Sequence, residues 1–257
     1  MDMSPFYAVW DSLFRLVYSP HCYVCRKEID ELPGKDRLLN RFFCPECHRA
    51  LIINPWLGCN FCGAYRTEGR SSSRYCVHCR GEKFAFDQVV TLGMFDGLLR
   101  EAIYMIKKPE HVYLARALAE SLYRIRLKGS PVLDVDWIVP APMHKNRFQE
   151  RGINDADVIA QKLSDLSGIK YVDALSRTAV TALQRRLSPQ QRRENVRGAF
   201  EWRWHVDTKK PPRSVLIVDD VLTTGATCNE IAKMMKSIGV ETVYVAVIAR
   251  AVGDHIA

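Results

Sequence analysis

Nowhere in its 257 residues does this chain carry an apolar run near the roughly 18 residues that a membrane-spanning helix requires. The first twenty residues hold Asp2, Asp11 and Arg15 and no uninterrupted apolar core, which argues against a secretory signal. Phe6, Val9, Trp10, Leu13, Phe14, Leu16 and Val17 suit an amphipathic helix over 1–20, docked on the protein. No Gly-Lys-Ser/Thr and no Gly-x-Gly-x-x-Gly appears, so neither a Walker A loop nor a dinucleotide fingerprint is present. Low-complexity tracts are missing, as is any internal repeat beyond a doubled cysteine motif. Acidic residues are the minority, 29 Asp and Glu against 37 Lys and Arg, giving a net charge of +8 and a pI of about 9.0. That balance favours anionic partners such as nucleotides, phosphosugars or nucleic acid. The chain reads as a soluble, cytoplasmic protein without a membrane span.

Cysteine is plentiful, and its arrangement matters more than its number. Eight of the nine cysteines form Cys-x-x-Cys pairs: Cys22/Cys25, Cys44/Cys47, Cys59/Cys62 and Cys76/Cys79. Such a pair presents two thiolates from one tight turn, and two pairs complete a tetrahedral zinc site. Eight thiolates therefore make two structural Zn²⁺ sites. Disulfides suit an oxidising compartment, which conflicts with the cytoplasmic reading, and iron–sulfur runs space their ligands more tightly. Residues 21–82 have little apolar sequence between the knuckles and cannot bury a core large enough to fold alone. Metal binding would supply on the order of 10 kcal/mol per site. Sequential pairing closes shorter loops than interleaved pairing and is favoured on entropy, although spacing leaves both open. His48 and His78 adjoin ligand cysteines and read as bystanders. Cys228, in a predicted helix, reads as a core residue or a bystander.

From residue 83 to 257 the pattern is α/β. Phe86–Phe95 suggests a strand or hairpin, and Leu98–Ile106 and Tyr113–Ile125 have helical periodicity. Trp137-Ile-Val-Pro140 is a short buried strand, 153–166 a helix, and Val243–Ile248 another buried strand. Alternating strands and helices imply a mainly parallel sheet with helices on both faces.

The most informative stretch is Val215-Leu-Ile-Val-Asp-Asp-Val-Leu-Thr-Thr-Gly-Ala-Thr227. Val215–Val218 reads as a buried strand, and Cys228, Ile231, Ala232, Met235 and Ile238 fall at helical spacing. In a parallel sheet this strand–loop–helix unit puts Asp219, Asp220 and the threonines at the carboxyl edge, where ligands bind. Gly225 allows close backbone approach, and the helix start adds unpaired N–H groups and partial positive charge. The loop suits a phosphate monoester, and the carboxylates suit ribose hydroxyls. This segment resembles the phosphoribosyl diphosphate (PRPP) signature of type I phosphoribosyltransferases. The resemblance implies that Asp219 and Asp220 hold the ribose hydroxyls, while Thr223, Thr224, Gly225, Ala226 and Thr227 hold the phosphate.

Two basic segments accompany it. Pro140–Asn154 follows the strand at Trp137 and carries His144, Lys145, Arg147 and Arg151, a loop fit to neutralise a departing diphosphate. Ala182–Phe200 holds Arg185, Arg186, Arg192, Arg193 and Arg197 against Glu194 alone. That composition serves a lid over a polyanion or an arm for nucleic acid.

The Cys-x-x-Cys knuckles, Ile103-Tyr-Met-Ile-Lys107, Pro142 through Asn154, Thr181–Ser188 with Arg193–Phe200, and the Asp-Asp loop together resemble the ComF family. Ile153 departs from the aromatic residue often found there. The resemblance implies a type I phosphoribosyltransferase-like domain over 83–257, preceded by a double zinc-ribbon module over 21–82. It also implies PRPP and Mg²⁺ as ligands and a role in natural transformation, in which incoming single-stranded DNA is handled in the cytoplasm. Lys107 and Arg151 would contact diphosphate, and Arg185, Arg186, Arg192 and Arg193 would contact DNA. DNA-uptake or helicase proteins are the partners expected at the zinc ribbons. No motif identifies the acceptor of a ribosyl transfer. A non-catalytic nucleic-acid adaptor and a nucleobase-salvage phosphoribosyltransferase are the alternatives.

Overall fold

The computed structural model describes residues 21–23, 25–29, 42–52, 58–65, 75–178, 196, 198–203, 205–207 and 209–252. The amphipathic helix expected over 1–20 and the arginines at 185, 186, 192, 193 and 197 lie outside the described residues. The chain divides into two compact units, residues 1–54 and 55–257. The boundary expected at residue 82 falls inside the second.

In the first unit, Cys22–Lys27 makes a tight turn: the Cys22 N–H donates to the Lys27 carbonyl at 2.7 Å, and the Arg26 N–H to the Cys22 carbonyl at 2.9 Å. Tyr23 packs on Phe42 with ring centroids 5.6 Å apart. The second cysteine pair leads into helix α1 (Pro45–Ile52).

The second unit is built on a five-stranded sheet of order β1-β7-β6-β2-β3, every neighbouring pair parallel. Its strands are β1 (Gln88–Met94), β2 (Trp137–Pro140), β3 (Lys170–Tyr171), β6 (Ser214–Leu222) and β7 (Thr242–Arg250). A separate antiparallel pair joins β4 (Leu175–Arg177) to β5 (Phe200–Trp202). The helices are α2 (Gly97–Ile106), α3 (Val112–Leu122), α4 (Lys145–Arg151), α5 (Asp155–Ser167) and α6 (Ala226–Ser237). Side-chain alternation along the central strands makes both sheet faces apolar. Val215, Ile217, Val243, Val245 and Val247 pack with Ile231, Ala232 and Met235 of α6. Leu216, Val218, Ala246 and Ile248 are fully buried at the alternate positions, and α5 packs on β6, β2 and α3. This is the mainly parallel sheet with flanking helices that the alternation of elements implied.

Two local readings need correction. β6 does not stop at Val218. It continues to Leu222 because β7 runs beside it throughout, pairing Asp219 with Val247 and Leu222 with Arg250. The basic stretch after β2 is not all loop either. Lys145–Arg151 forms α4, capped by His144, whose Nδ1 accepts from the Asn146 N–H at 3.2 Å, and stopped by Gly152 at φ 71°.

The second cysteine group packs against the sheet. The turn Cys59–Ala64 repeats the bonds of the first knuckle, with the Cys59 N–H donating to the Ala64 carbonyl at 2.7 Å and the Gly63 N–H to the Cys59 carbonyl at 2.7 Å. Within it, the Asn60 carbonyl accepts from the Val89 N–H of β1 at 3.0 Å. Gly63 sits so close to β1 that a Cβ there would lie 2.9 Å from Val89 Cγ1.

Candidate functional site

A cleft of about 200 Å³ opens at the carboxyl edge of the sheet. β6 contributes Asp219 and Asp220, the turn after it contributes Thr223–Gly225, and the start of α6 contributes Ala226 and Thr227. Gly225 stands at φ 76° as the N-cap of α6, a left-handed conformation that favours glycine. The Thr224 hydroxyl accepts from the Ala226 N–H at 3.3 Å, fixing the loop as it enters the helix. The segment after β2 supplies Ala141, Pro142 and Met143, and α4 supplies Arg147 and Arg151. Asn154 Nδ2 donates to the Ala141 carbonyl at 3.2 Å, tying the start of α5 to the end of β2.

The charges of the cleft interlock. Lys107, just after α2, donates to Asp155 Oδ2 at 2.7 Å and also pairs with Asp220. Arg151 lies 3.7 Å from the same Asp155 oxygen. Burial pulls the Lys107 ammonium below its ordinary value, against the opposing pull of Asp155. Burial also pushes the Asp219 carboxyl up to about 6, a rise that Lys107 and Arg177 partly offset. Asp219 Oδ1 accepts the Asp220 N–H at 2.9 Å, and Asp220 Oδ1 accepts the Val221 N–H at 2.6 Å. The loop and the carboxylates thus share a wall with four cationic side chains: Lys107, Arg147, Arg151 and Arg177.

Lys107, Arg151, Asp219, Asp220 and Thr223–Thr227, each expected at a ligand site, all line this one cleft. Asp155 and Arg177 were not anticipated. Asp155 is only 2 % exposed and gathers both Lys107 and Arg151. Its signal was an acid at the first position of a helix, which most often means only a favourable helix dipole. Arg177 arrives from β4 and carries no local motif.

The cysteines fall into two sequential groups, Cys22/Cys25/Cys44/Cys47 and Cys59/Cys62/Cys76/Cys79, each with its sulfurs within 4.8 Å of one another. The interleaved pairing is ruled out. Sulfurs about 2.3 Å from a central zinc stand about 3.8 Å apart at the corners of a tetrahedron. Observed separations are 3.8 Å for Cys59–Cys79, 3.5 Å for Cys62–Cys76, 3.8 Å for Cys76–Cys79 and 3.6 Å for Cys25–Cys44. All nine cysteines are free thiols. Both groups therefore fit zinc ribbons. His78 does not join them, the side chain of His48 lies outside what the structure describes, and Cys228 on α6 is buried in the core.

A parallel sheet, an acidic pair running into a Thr-Gly turn at its carboxyl edge, and tetrathiolate knuckles ahead of it define a phosphoribosyltransferase-like domain with zinc ribbons. The family model described as "Phosphoribosyl transferase domain" matches residues 150–255. Competence protein F of Haemophilus influenzae is 30% identical over 234 residues, 90% of this chain and 96% of the relative. The chain belongs to the ComF family. DNA utilization protein YhgH of Escherichia coli K12 is 30% identical over 230 residues, 87% of this chain and 94% of the relative. Competence protein ComFC of Streptococcus pneumoniae is 22% identical over 201 residues, 78% of this chain and 77% of the relative. Among the described residues no helix is long and apolar enough to cross a membrane.

Proposed function

We propose that the cleft binds PRPP. The observation that carries this reading is that Asp219 and Asp220, the run Thr223–Thr227, and Lys107, Arg147, Arg151 and Arg177 all line one cavity. Hydroxyl donors, backbone amides and the start of α6 suit the 5-phosphate. Asp219 and Asp220 accept from the two ribose hydroxyls. Arg151, Arg147 and Lys107 face the diphosphate and offset its charge. Two adjacent carboxylates are also what a substrate-bridging Mg²⁺ uses, so Asp219 and Asp220 would hold that ion. When bound, it would supply further neutralisation of the diphosphate.

If transfer occurs, the bond from the anomeric carbon to diphosphate breaks and its electron pair leaves on the diphosphate. The acceptor bonds to the opposite face, with inversion. The arginines lower the barrier by meeting the charge that grows on the leaving group. Two charge-assisted hydrogen bonds, at about 1.5–3 kcal/mol each, separate the native site from the Asp219→Asn, Asp220→Asn double variant. PRPP affinity by calorimetry should therefore fall at least tenfold. Unchanged binding in that variant means the ribose does not sit at this pair. Diphosphate release with candidate acceptors then tests whether the bound PRPP reacts.

The place of this activity is the handling of incoming single-stranded DNA in the cytoplasm during natural transformation. Membership of a family that includes competence proteins supports this role, as does the name of the Escherichia coli relative, a DNA utilization protein. The net charge of +8 and the arginines at 185, 186, 192 and 193 support phosphate contacts with the strand. Replacing these four by glutamine should weaken single-stranded DNA binding and flatten its salt dependence. If PRPP turnover collapses while DNA binding is untouched, the segment is a catalytic lid. If the Asp variants keep DNA binding and no acceptor releases diphosphate, the protein is a non-catalytic adaptor, with its zinc ribbons docking uptake or helicase proteins.

A further inference from the structure

We propose that the second cysteine group is a buttress for the phosphate loop, and that Arg250 is the positioning residue that couples metal occupancy there to ligand affinity. The affinity part rests on the PRPP reading above; the coupling itself does not.

Arg250 ends β7 and is only 6% exposed. Its guanidinium spans two features that no motif connects. Nε donates to the Cys62 carbonyl, inside the second knuckle, at 2.8 Å. Nη1 donates to the Leu222 carbonyl at 2.9 Å and also contacts the carbonyls of Thr223 and Ala251. A buried carbonyl without a donor is costly, and a guanidinium offers its donors in one rigid plane. The position of Cys62 thus fixes the plane of the guanidinium, and the guanidinium holds the Thr223 carbonyl and shares the Leu222 carbonyl with the Ala251 N–H, which donates to it at 2.9 Å. Every described peptide bond is trans, and in a trans peptide the N–H points opposite to the C=O. Turning those two carbonyls onto Arg250 turns the N–H groups of Thr223 and Thr224 the other way. On that side β2 has already ended and the cleft begins.

An apolar line runs parallel to this polar one. Phe61 of the knuckle packs on Phe84 at 5.8 Å, and Phe84 stacks on Phe86 at 4.6 Å. Phe84 also lies under the loop, since a Cβ on Gly225 would stand 3.2 Å from its Cε1. The Ala85 N–H donates to Asn229 Oδ1 at 2.7 Å, in the first turn of α6. Both ends of the loop therefore rest on groups that the knuckle holds. The knuckle itself has a small core, and four coordinate bonds are what would fix it. With metal bound, the loop amides are pre-organised for phosphate. Without it, Cys62 drifts, Arg250 loses an acceptor, and the amides must be ordered by the ligand at the expense of affinity.

Linkage makes the effect reciprocal: the factor by which metal tightens PRPP binding is the factor by which PRPP tightens metal binding. The test uses the full chain in three forms: native, Arg250→Met and Cys76→Ser. Hydrogen exchange is read at Thr223–Thr227, with the β6 amides of 215–218 as the internal control, and PRPP affinity is read by calorimetry with Mg²⁺. Each variant should speed exchange in the loop about tenfold or more and weaken PRPP by a similar factor, with the β6 core unchanged. The double variant should be little worse than either single one. In a Cys44→Ser background, where the second group is the complete one, saturating PRPP should slow zinc release to a chromogenic chelator. Arg250→Met should abolish that slowing. Native-like loop exchange in both variants overturns the proposal. If Arg250→Met does not fold, Arg250→Lys and zinc-stripped native protein give the same readout, and unchanged loop protection after stripping is equally fatal. If native protein fails to bind PRPP, the reading of the cleft falls, and the exchange measurements still decide whether metal and loop are coupled.

Discussion

Asp219→Asn should make the folded protein more stable at neutral pH while weakening its binding of PRPP. The Asp219 carboxyl is held at about 6 against an ordinary 3.8, chiefly by burial. A carboxyl raised on folding binds its proton more tightly in the folded chain than in the unfolded one. Its stabilising effect is therefore complete below about 4 and is lost as pH climbs through 6. Above that, the ionised group costs at most about 3 kcal/mol, at 1.36 kcal/mol per pH unit. Asp219 keeps some contact with solvent in the cleft, so the working figure is about 1–2 kcal/mol. Asparagine is isosteric and retains the oxygen that accepts the Asp220 N–H at 2.9 Å. Urea melts of both proteins at pH 8 should show the variant more stable by that amount, or by a Tm rise on the order of 3–6 °C. At about pH 3, below the ordinary carboxyl value of 3.8, the gap should all but close. A variant that is less stable at pH 8, or a gap that does not change with pH, would refute the assignment of the strain to this carboxylate.

Four further outcomes follow from the geometry. PRPP affinity should rise as pH climbs through about 6, where Asp219 ionises, and level off above it; in Asp219→Asn calorimetry should find only the ligand's own phosphate titration. Gly225→Ala forces a side chain into φ 76° and against Phe84, costing about 1–2 kcal/mol by thermal melt and weakening PRPP binding. Lys107→Met strips the buried Asp155 of its 2.7 Å partner and should destabilise by up to about 3 kcal/mol in denaturant; a loss below roughly 0.5 kcal/mol would mean water already screens the pair. Elemental analysis should find two zinc ions per chain, falling to one in Cys44→Ser; fewer than one in native protein, with disulfides in their place, defeats the metal assignment.

Much of the site was legible because its chemistry is local. Asp219, Asp220 and Thr223–Thr227 lie on one strand–turn–helix unit, where a single stretch of sequence sets the geometry. The cysteine knuckles are local in the same way. Partners that come from distant elements were not legible. Asp155 meets Lys107 across 48 residues and Arg250 meets Cys62 across 188. Neither pair leaves a periodicity or motif to read, because the contacts are set by how distant elements pack around the sheet. The length of β6 escaped for a related reason. A strand persists as long as its neighbour offers hydrogen bonds, and that neighbour, β7, lies outside the local window.

The hydrogen bond from the Val89 N–H to the Asn60 carbonyl bears on how the protein would fail. β1 is an outer strand of the sheet, with β7 on its inner side. An outer strand with unpaired amides is a template for joining another chain, and proteins commonly blunt such strands. Here the knuckle is the cover. Stripping the metal would bare a strand as apolar as Gln88-Val-Val-Thr-Leu-Gly-Met94 while leaving the parallel sheet behind it intact. Metal starvation or thiol oxidation would then appear first as self-association of otherwise folded molecules, visible by light scattering before any loss of secondary structure.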